Sequence, residues 1–367
     1  MSGGGIQAEL SHGPAISLRR RLLFAGAAGL LSLMMALAAF LVVDVGVHRR
    51  YERGVLVNVW GYRGPVAGRK RPGEYRVAVL GGSSAFGYGV KWVDSMPAIL
   101  EQKLGRPPGA FRVVNLAYNN EGAHSFTFTL KDYAYLDYDL VCLYEGYNDL
   151  GGDDSPNPSV FRHDSPVFVL TGYLPIFPLV FREKASVMVY GDTRDVYPTL
   201  DKTVFRPPAS LAARTAAEAL RAAAAVGESL ERQFRRASVD AKAAGAIPPA
   251  GDCAFPWAGY CESVREAAAW ALSRNKQVLV ATQPYALGAE LGARHRDQQR
   301  ALAAMLARQF AGDSRVRYVD LGNRVDLADP TLSYDRTHLT EIGNERLASA
   351  FVAPVLEMAA THQASAH

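Results

Sequence analysis

Five short runs of mostly apolar, β-branched residues recur along the chain, and what separates them constrains the fold more than any other feature. They are RVAVLG (76–81), FRVVNLA (111–117), DLVCLYEG (139–146), QVLVATQ (277–283) and VRYVDLG (316–322). Each is nearly continuous in its apolar character, which is the pattern of a strand covered on both faces of a parallel sheet. Helical patterns stand between and after them. SMPAILEQKLG follows the first run, SVREAAAWALSRN precedes the fourth, HRDQQRALAAMLARQFAG precedes the fifth, and EIGNERLASAFVAPVLEMAA closes the series. This alternation predicts a three-layer α/β/α domain of the flavodoxin-like kind, built on a five-stranded parallel sheet. A chain of 367 residues with 49% apolar content has enough material for such a core.

Before the first strand lies LLFAGAAGLLSLMMALAAFLVV (22–43), 22 residues without a charge, preceded by Arg19, Arg20 and Arg21. An apolar helix needs about 20 residues to cross a bilayer. A soluble helix would show a polar face, and this run has none, so it predicts one transmembrane helix. Ala36-Leu37-Ala38 has the form of a signal-peptide cleavage site. Apolar residues nevertheless continue to Val43, which favours an uncleaved signal-anchor.

Charge does not set the topology, because Arg49, Arg50 and Arg53 after the run nearly balance the arginines before it. The signal-like N-terminus and the close pair Cys253 and Cys261 favour an extracytoplasmic domain, periplasmic or extracellular. Two cysteines at that spacing close a small loop in an oxidising compartment, with two unpaired thiols as the alternative. Cys142, inside the third run, reads as a buried strand residue. The net charge of +4 is small and its arginines are scattered among acids, so nothing predicts a nucleic-acid partner.

The expected organisation is therefore a basic tail (1–21), an anchor (22–43), a juxtamembrane connector rich in Gly, Arg and Pro (44–75), a domain (76–360) and a short tail (361–367). The domain carries an insertion at about 151–270. That insertion opens with a proline-rich piece whose aromatic residues suit contact with lipid or substrate. It continues as an alanine-rich stretch in which Val226, Leu230 and Phe234 recur at i+4, predicting one long amphipathic helix.

Four polar, glycine-containing segments fall at carboxyl ends of predicted strands or just beyond the last one: GGSSAFGYG, NLAYNNEG, EGYNDL and YDRTHLTEIGN. An open α/β sheet gathers such segments along one edge. A serine hydroxyl needs a base before it becomes a nucleophile. In DRTH, Asp335 and His338 are three residues apart, close enough for the carboxylate to hold one ring nitrogen while the other faces a serine. A tetrahedral oxyanion then needs donors, and the Ser83 N–H, the Gly122 N–H and the Asn148 side chain are the candidates. Singly, each motif has a plainer reading: DxxH as a helix cap with a surface histidine, GYND as a turn. Their order and their common placement carry the chemistry.

GGSS, NLAYNNEG, GYND and DRTH, in that order, resemble the four sequence blocks of the SGNH (GDSL-type) hydrolases, over about residues 76–360 with the insertion outside. The resemblance implies an α/β/α fold, no metal or other cofactor, and acyl transfer from esters of lipids, glycans or small molecules. It implies Ser83 as nucleophile, His338 as base, Asp335 as its partner, and Ser83, Gly122 and Asn148 as the oxyanion hole. Ser83 is chosen over Ser84 by the family spacing to a glycine four residues on, here Gly87. Gly82 departs from the pattern, because it stands where GDS has aspartate.

His124, Gln283 and Tyr285 are candidate substrate-contacting residues. Glu145 reads as a hydrogen-bonding residue of the fold, with a second acid near the site as its alternative. His163, His295 and the histidines of the C-terminal tail read as solvated. No Cys/His/Asp spacing suggests a zinc site, and no phosphate-binding loop occurs. The expected function is a membrane-anchored serine esterase working through an acyl-enzyme. The alternatives are an acyltransferase acting on an envelope glycan or lipid, and an envelope binding protein without catalysis.

Overall fold

A computed structural model describes residues 17–54, 57–105, 110–151, 157–177, 253 and 255–365. The alanine-rich stretch around Val226, Leu230 and Phe234, with its predicted helix, lies outside the described residues. Two compact units are present, residues 1–46 and 47–367. The first consists of most of α1, a helix over Leu18–Tyr51 whose apolar residues, Leu22, Leu30 and Phe40 among them, are more than half exposed. It is long and apolar enough to cross a membrane.

The second unit is built on five parallel strands: β1 (Tyr75–Gly81), β2 (Phe111–Asn115), β3 (Leu140–Tyr144), β4 (Gln277–Ala281) and β5 (Val316–Val319). Their order is β2-β1-β3-β4-β5. The helices are α2 (Ser83–Phe86), α3 (Met96–Leu104), α4 (Ser125–Asp132), α5 (Pro166–Thr171), α6 (Ala258–Ser273), α7 (Ala289–Gln309) and α8 (Glu341–Ser365). Every residue of β1, β3 and β4 is buried, as their unbroken apolar runs require, whereas the edge strands β2 and β5 are partly exposed.

Right-handed crossovers decide the layers. The chain moves one way from β1 to β2 and the other way through β3, β4 and β5. Helix α3 therefore covers one face together with α8, against which it packs, and α4 pairs with α6 on the other. The direction reverses between β1 and β3. Beyond the carboxyl ends of strands at such a switch point is where open α/β sheets bind ligands.

The segment after α1 is more than a connector, contrary to its reading from composition. Val57, Asn58, Tyr62 and Arg63 are all buried, and Arg63 bridges to Asn115 at the end of β2. Its guanidinium donates to the carbonyls of Phe86 and Gly87, each at 2.7 Å, and of Val90 at 2.5 Å, and so holds the end of α2. Burial pushes this arginine down to about 10. Glycine, proline and arginine marked this piece as loop, but a buried arginine serving several carbonyls makes it part of the scaffold.

Candidate active site

Strand β1 ends at Gly81, and the chain turns at once into the four-residue helix α2 that begins with Ser83. The Ser83 hydroxyl lies at the carboxyl edge of the sheet, 2.8 Å from Nε2 of His338. Its neighbour Ser84 is buried, and the Ser84 hydroxyl has no hydrogen-bond partner among the described residues. Geometry thus separates two serines that sequence alone left adjacent.

His338 comes from the loop between β5 and α8. Its Nδ1 lies 2.6 Å from Oδ2 of Asp335, whose Oδ1 accepts the His338 and Thr337 backbone N–H groups at 2.6 and 3.0 Å. Partial burial would raise the Asp335 carboxyl, but the bonds from the His338 ring and the two N–H groups outweigh it and hold Asp335 below its ordinary value. A bridge between Ser333 and Leu339 closes the loop, and the Ser333 hydroxyl donates to the His338 carbonyl at 2.9 Å. Asn344 in α8 accepts the Met96 N–H and donates to Leu339, tying the loop to α3. The imidazole lies between Tyr88, 4.8 Å away by ring centroid, and Tyr334, at 6.0 Å and nearly parallel.

Asn148 sits in the turn after β3, and its side-chain amide donates to the Glu121 carbonyl at 2.9 Å. That leaves its second amide hydrogen for a ligand. The Ser83 and Gly122 N–H groups have no backbone acceptor among the described residues. Gly122 has no room for a side chain, because a Cβ would stand 2.5 Å from the Asp149 carboxylate. Asp149 accepts the Ala123 N–H at 2.8 Å and so joins the segment after β2 to the turn after β3. Under that segment a buried ion pair, Glu121 with Arg162, holds the carbonyl that receives Asn148.

The 145–150 turn is braced from below. Tyr260 of α6 donates to the Glu145 carbonyl at 2.8 Å, Gln298 of α7 donates to the Gly146 carbonyl at 3.2 Å, and Arg294 donates to the Leu150 carbonyl at 2.6 Å. Gln283 is buried and accepts the Tyr147 N–H at 2.9 Å, so its amide oxygen is committed to this turn. Tyr285 donates its hydroxyl to Asp320 at 2.9 Å, and its ring fills the space where a side chain at position 322 would stand. His124 packs its ring 5.3 Å from Phe128 in α4. Of the three residues expected to contact substrate, Gln283 is bound to the turn after β3, Tyr285 to Asp320, and His124 packs on Phe128, whereas Ser83, His338, Asp335, Gly122 and Asn148 gather at one edge.

Of the histidines read as solvated, His295 is not, and His163 is only partly exposed. His295 is fully buried beneath the 145–150 turn and held neutral by burial, with its titration pushed down to about 4. His163 pairs with Asp132 at 2.7 Å. His295 lies on a helix of low overall hydropathy, and no local pattern marked its face as inward. Sequence reasoning also left Asp149, Glu121 and Arg162 without a part. Cys253 and Cys261 are joined by a disulfide, and Cys142 is buried in β3.

No family model matches this chain, and no curated protein matches it. Solved structures similar to it include a lipolytic protein of the G-D-S-L family from Desulfitobacterium hafniense, at 11% identity and TM-score 0.40, over 76% of this chain and 99% of that one. Others are an inhibitor-bound aryl esterase from M. smegmatis (12%, TM-score 0.40, 77% and 99%) and an acetyl xylan esterase from Geobacillus stearothermophilus (13%, TM-score 0.39, 76% and 93%). So low a TM-score identifies neither a family nor an activity.

Proposed function

We propose that this chain is a membrane-anchored serine esterase of the SGNH kind. One observation carries the reading: Ser83, His338 and Asp335 form a continuous hydrogen-bonded line of 2.8 and 2.6 Å, although Ser83 and His338 are 255 residues apart. A scaffold has no need of such a line at the open edge of a sheet. Ser83 Oγ attacks the acyl carbonyl while His338 Nε2 takes its proton, and Asp335 orients the ring and stabilises the imidazolium. The oxyanion is received by the Ser83 and Gly122 N–H groups and the free hydrogen of Asn148. The imidazolium then protonates the departing alcohol, leaving an acyl-Ser83 ester that water, activated by the same histidine, resolves.

The anchor is α1, whose uncharged run is exposed and suits lipid. The disulfide between Cys253 and Cys261 favours a domain outside the cytoplasm. The test is reaction of the full-length protein, purified in detergent, with a fluorophosphonate, followed by mass spectrometry of the modified peptide. Labelling of Ser83, abolished in Ser83→Ala and His338→Ala, is expected. An unlabelled protein, or label on another serine, would overturn the reading. Accessibility of the domain to protease added outside intact cells tests the topology.

A further inference from the structure

The turn that carries Asn148 opens with Glu145, a carboxylate only 3% exposed. Its Oε2 accepts the Gly82 N–H at 2.5 Å, and its Oε1 accepts the N–H groups of Gly146 and Asn148, both at 2.9 Å. Three backbone donors therefore converge on one buried carboxyl group. One belongs to the residue before the nucleophile, and another to the residue whose side chain faces the oxyanion.

Gly82 is the complement of this arrangement. A Cβ at position 82 would stand 2.5 Å from Glu145 Oε2, 2.2 Å from Asn148 Nδ2 and 2.9 Å from the Glu121 carbonyl. Real side chains do not tolerate such contacts, so residue 82 must be glycine as long as Glu145 and Asn148 occupy their places. Position 82 is also where the sequences this chain resembles carry aspartate. Here a carboxyl group reaches Gly82 from the end of the neighbouring strand.

We infer that Glu145 is the positioning residue of the oxyanion site, setting the Ser83 peptide and the Asn148 amide in register through a single buried carboxylate. This rests on the serine-esterase reading above. Glu145 is not a catalytic residue, since both of its oxygens are taken up by backbone donors. Its effect is geometric: the peptide leading into Ser83 and the backbone of Asn148 hang from one rigid group, so their donors need no reorganisation as charge develops. A carboxyl group suits the task because its two oxygens have lone pairs for all three N–H groups at once. Glutamine would set an NH2 group against a backbone N–H.

The test compares five variants of the full-length protein in detergent, with p-nitrophenyl acetate as substrate and fluorophosphonate labelling of Ser83 as a second readout. Glu145→Gln is expected to lower kcat by about 10- to 100-fold, with KM within about twofold, and to slow labelling by a similar factor. Gly82→Ala, which keeps the carboxylate, is expected to lose about 100-fold or more as its methyl group displaces Asn148. Gly82→Asp alone is expected to be as damaging. Combined with Glu145→Ala, however, Gly82→Asp refills the emptied space, and the double variant is expected to exceed Glu145→Ala alone several-fold.

That reversal of sign is what a merely structural glutamate would not give; there the two changes would compound. Wild-type kcat in Glu145→Gln, full activity in Gly82→Ala, or a further loss on adding Gly82→Asp to Glu145→Ala would each overturn the inference. If Glu145→Gln does not fold, the Gly82→Ala result decides. Failure of the wild-type protein to label at Ser83 would remove the esterase reading and this inference together, whereas equal labelling of wild type and Glu145→Gln would remove the inference alone.

Discussion

Two turns meet at this site, and they are built on opposite plans. The 333–340 loop, which carries Asp335 and His338, lies at the surface: the Asp335 side chain is 38% exposed and the pair is only three residues apart. The 145–150 turn is buried and is fixed by residues far away in sequence, among them Gly82, Gln283, Arg294 and Gln298. On the proposed reading the first turn handles a proton that must arrive and leave, so a local pair near water suffices. The second holds dipoles still, and rigidity of that kind comes only from packing on every side. Their carboxylates follow suit. Asp335 is held below its ordinary value, whereas burial, with repulsion from Asp149, pushes Glu145 up to about 8.

The largest expected effect falls on the exposed turn. His338→Ala should lower kcat for p-nitrophenyl acetate by about 10⁴-fold or more while leaving the melting temperature nearly unchanged. A variant retaining a tenth of wild-type turnover would break the assignment of the base. On the buried turn, Asn148→Ala should cost about 10²- to 10³-fold in kcat with little change in KM, measured by steady-state kinetics. A pure KM effect would mean that Asn148 binds substrate rather than the oxyanion.

The two carboxylates should also pull stability in opposite directions with pH. For Glu145 the folded value of about 8 exceeds the unfolded one, so the folded state binds the extra proton. Its contribution is fully present below the ordinary glutamate range and is lost as pH rises through about 8. For Asp335 the folded value is depressed, so its smaller contribution is present above the ordinary aspartate range and is lost as pH falls through the folded value. Denaturant titrations from pH 5 to 9 should show a decline in stability that flattens in Glu145→Gln. An unchanged slope in that variant would assign the decline to another group.

The smallest effect concerns a residue first read as a substrate contact. Tyr285→Phe removes a hydroxyl bound to Asp320 and should cost about 1 kcal/mol or less of stability, with kinetics unaltered. A change in KM confined to one class of ester would restore Tyr285 to the substrate site.

What the sequence determined by itself is what local chemistry and periodicity encode. Short apolar runs bounded by turn signals and alternating with helical patterns read as strands of a parallel sheet, so the sheet was legible, and with it the edge on which GGSS, GYND and DRTH would meet. DRTH was legible because its acid and base lie within one turn of chain. The run 22–43 was legible as a helix because it is long and apolar enough to cross a membrane. The tertiary structure alone decided which of two adjacent serines faces His338, that Gln283 and Tyr285 serve the scaffold, and that His295 is buried. It also decided why residue 82 is glycine. The reason is physical: Gly82 and Glu145 are 63 residues apart, and neither carries a local pattern that names the other. A close approach between two chain segments exists only after the sheet has brought the ends of β1 and β3 side by side.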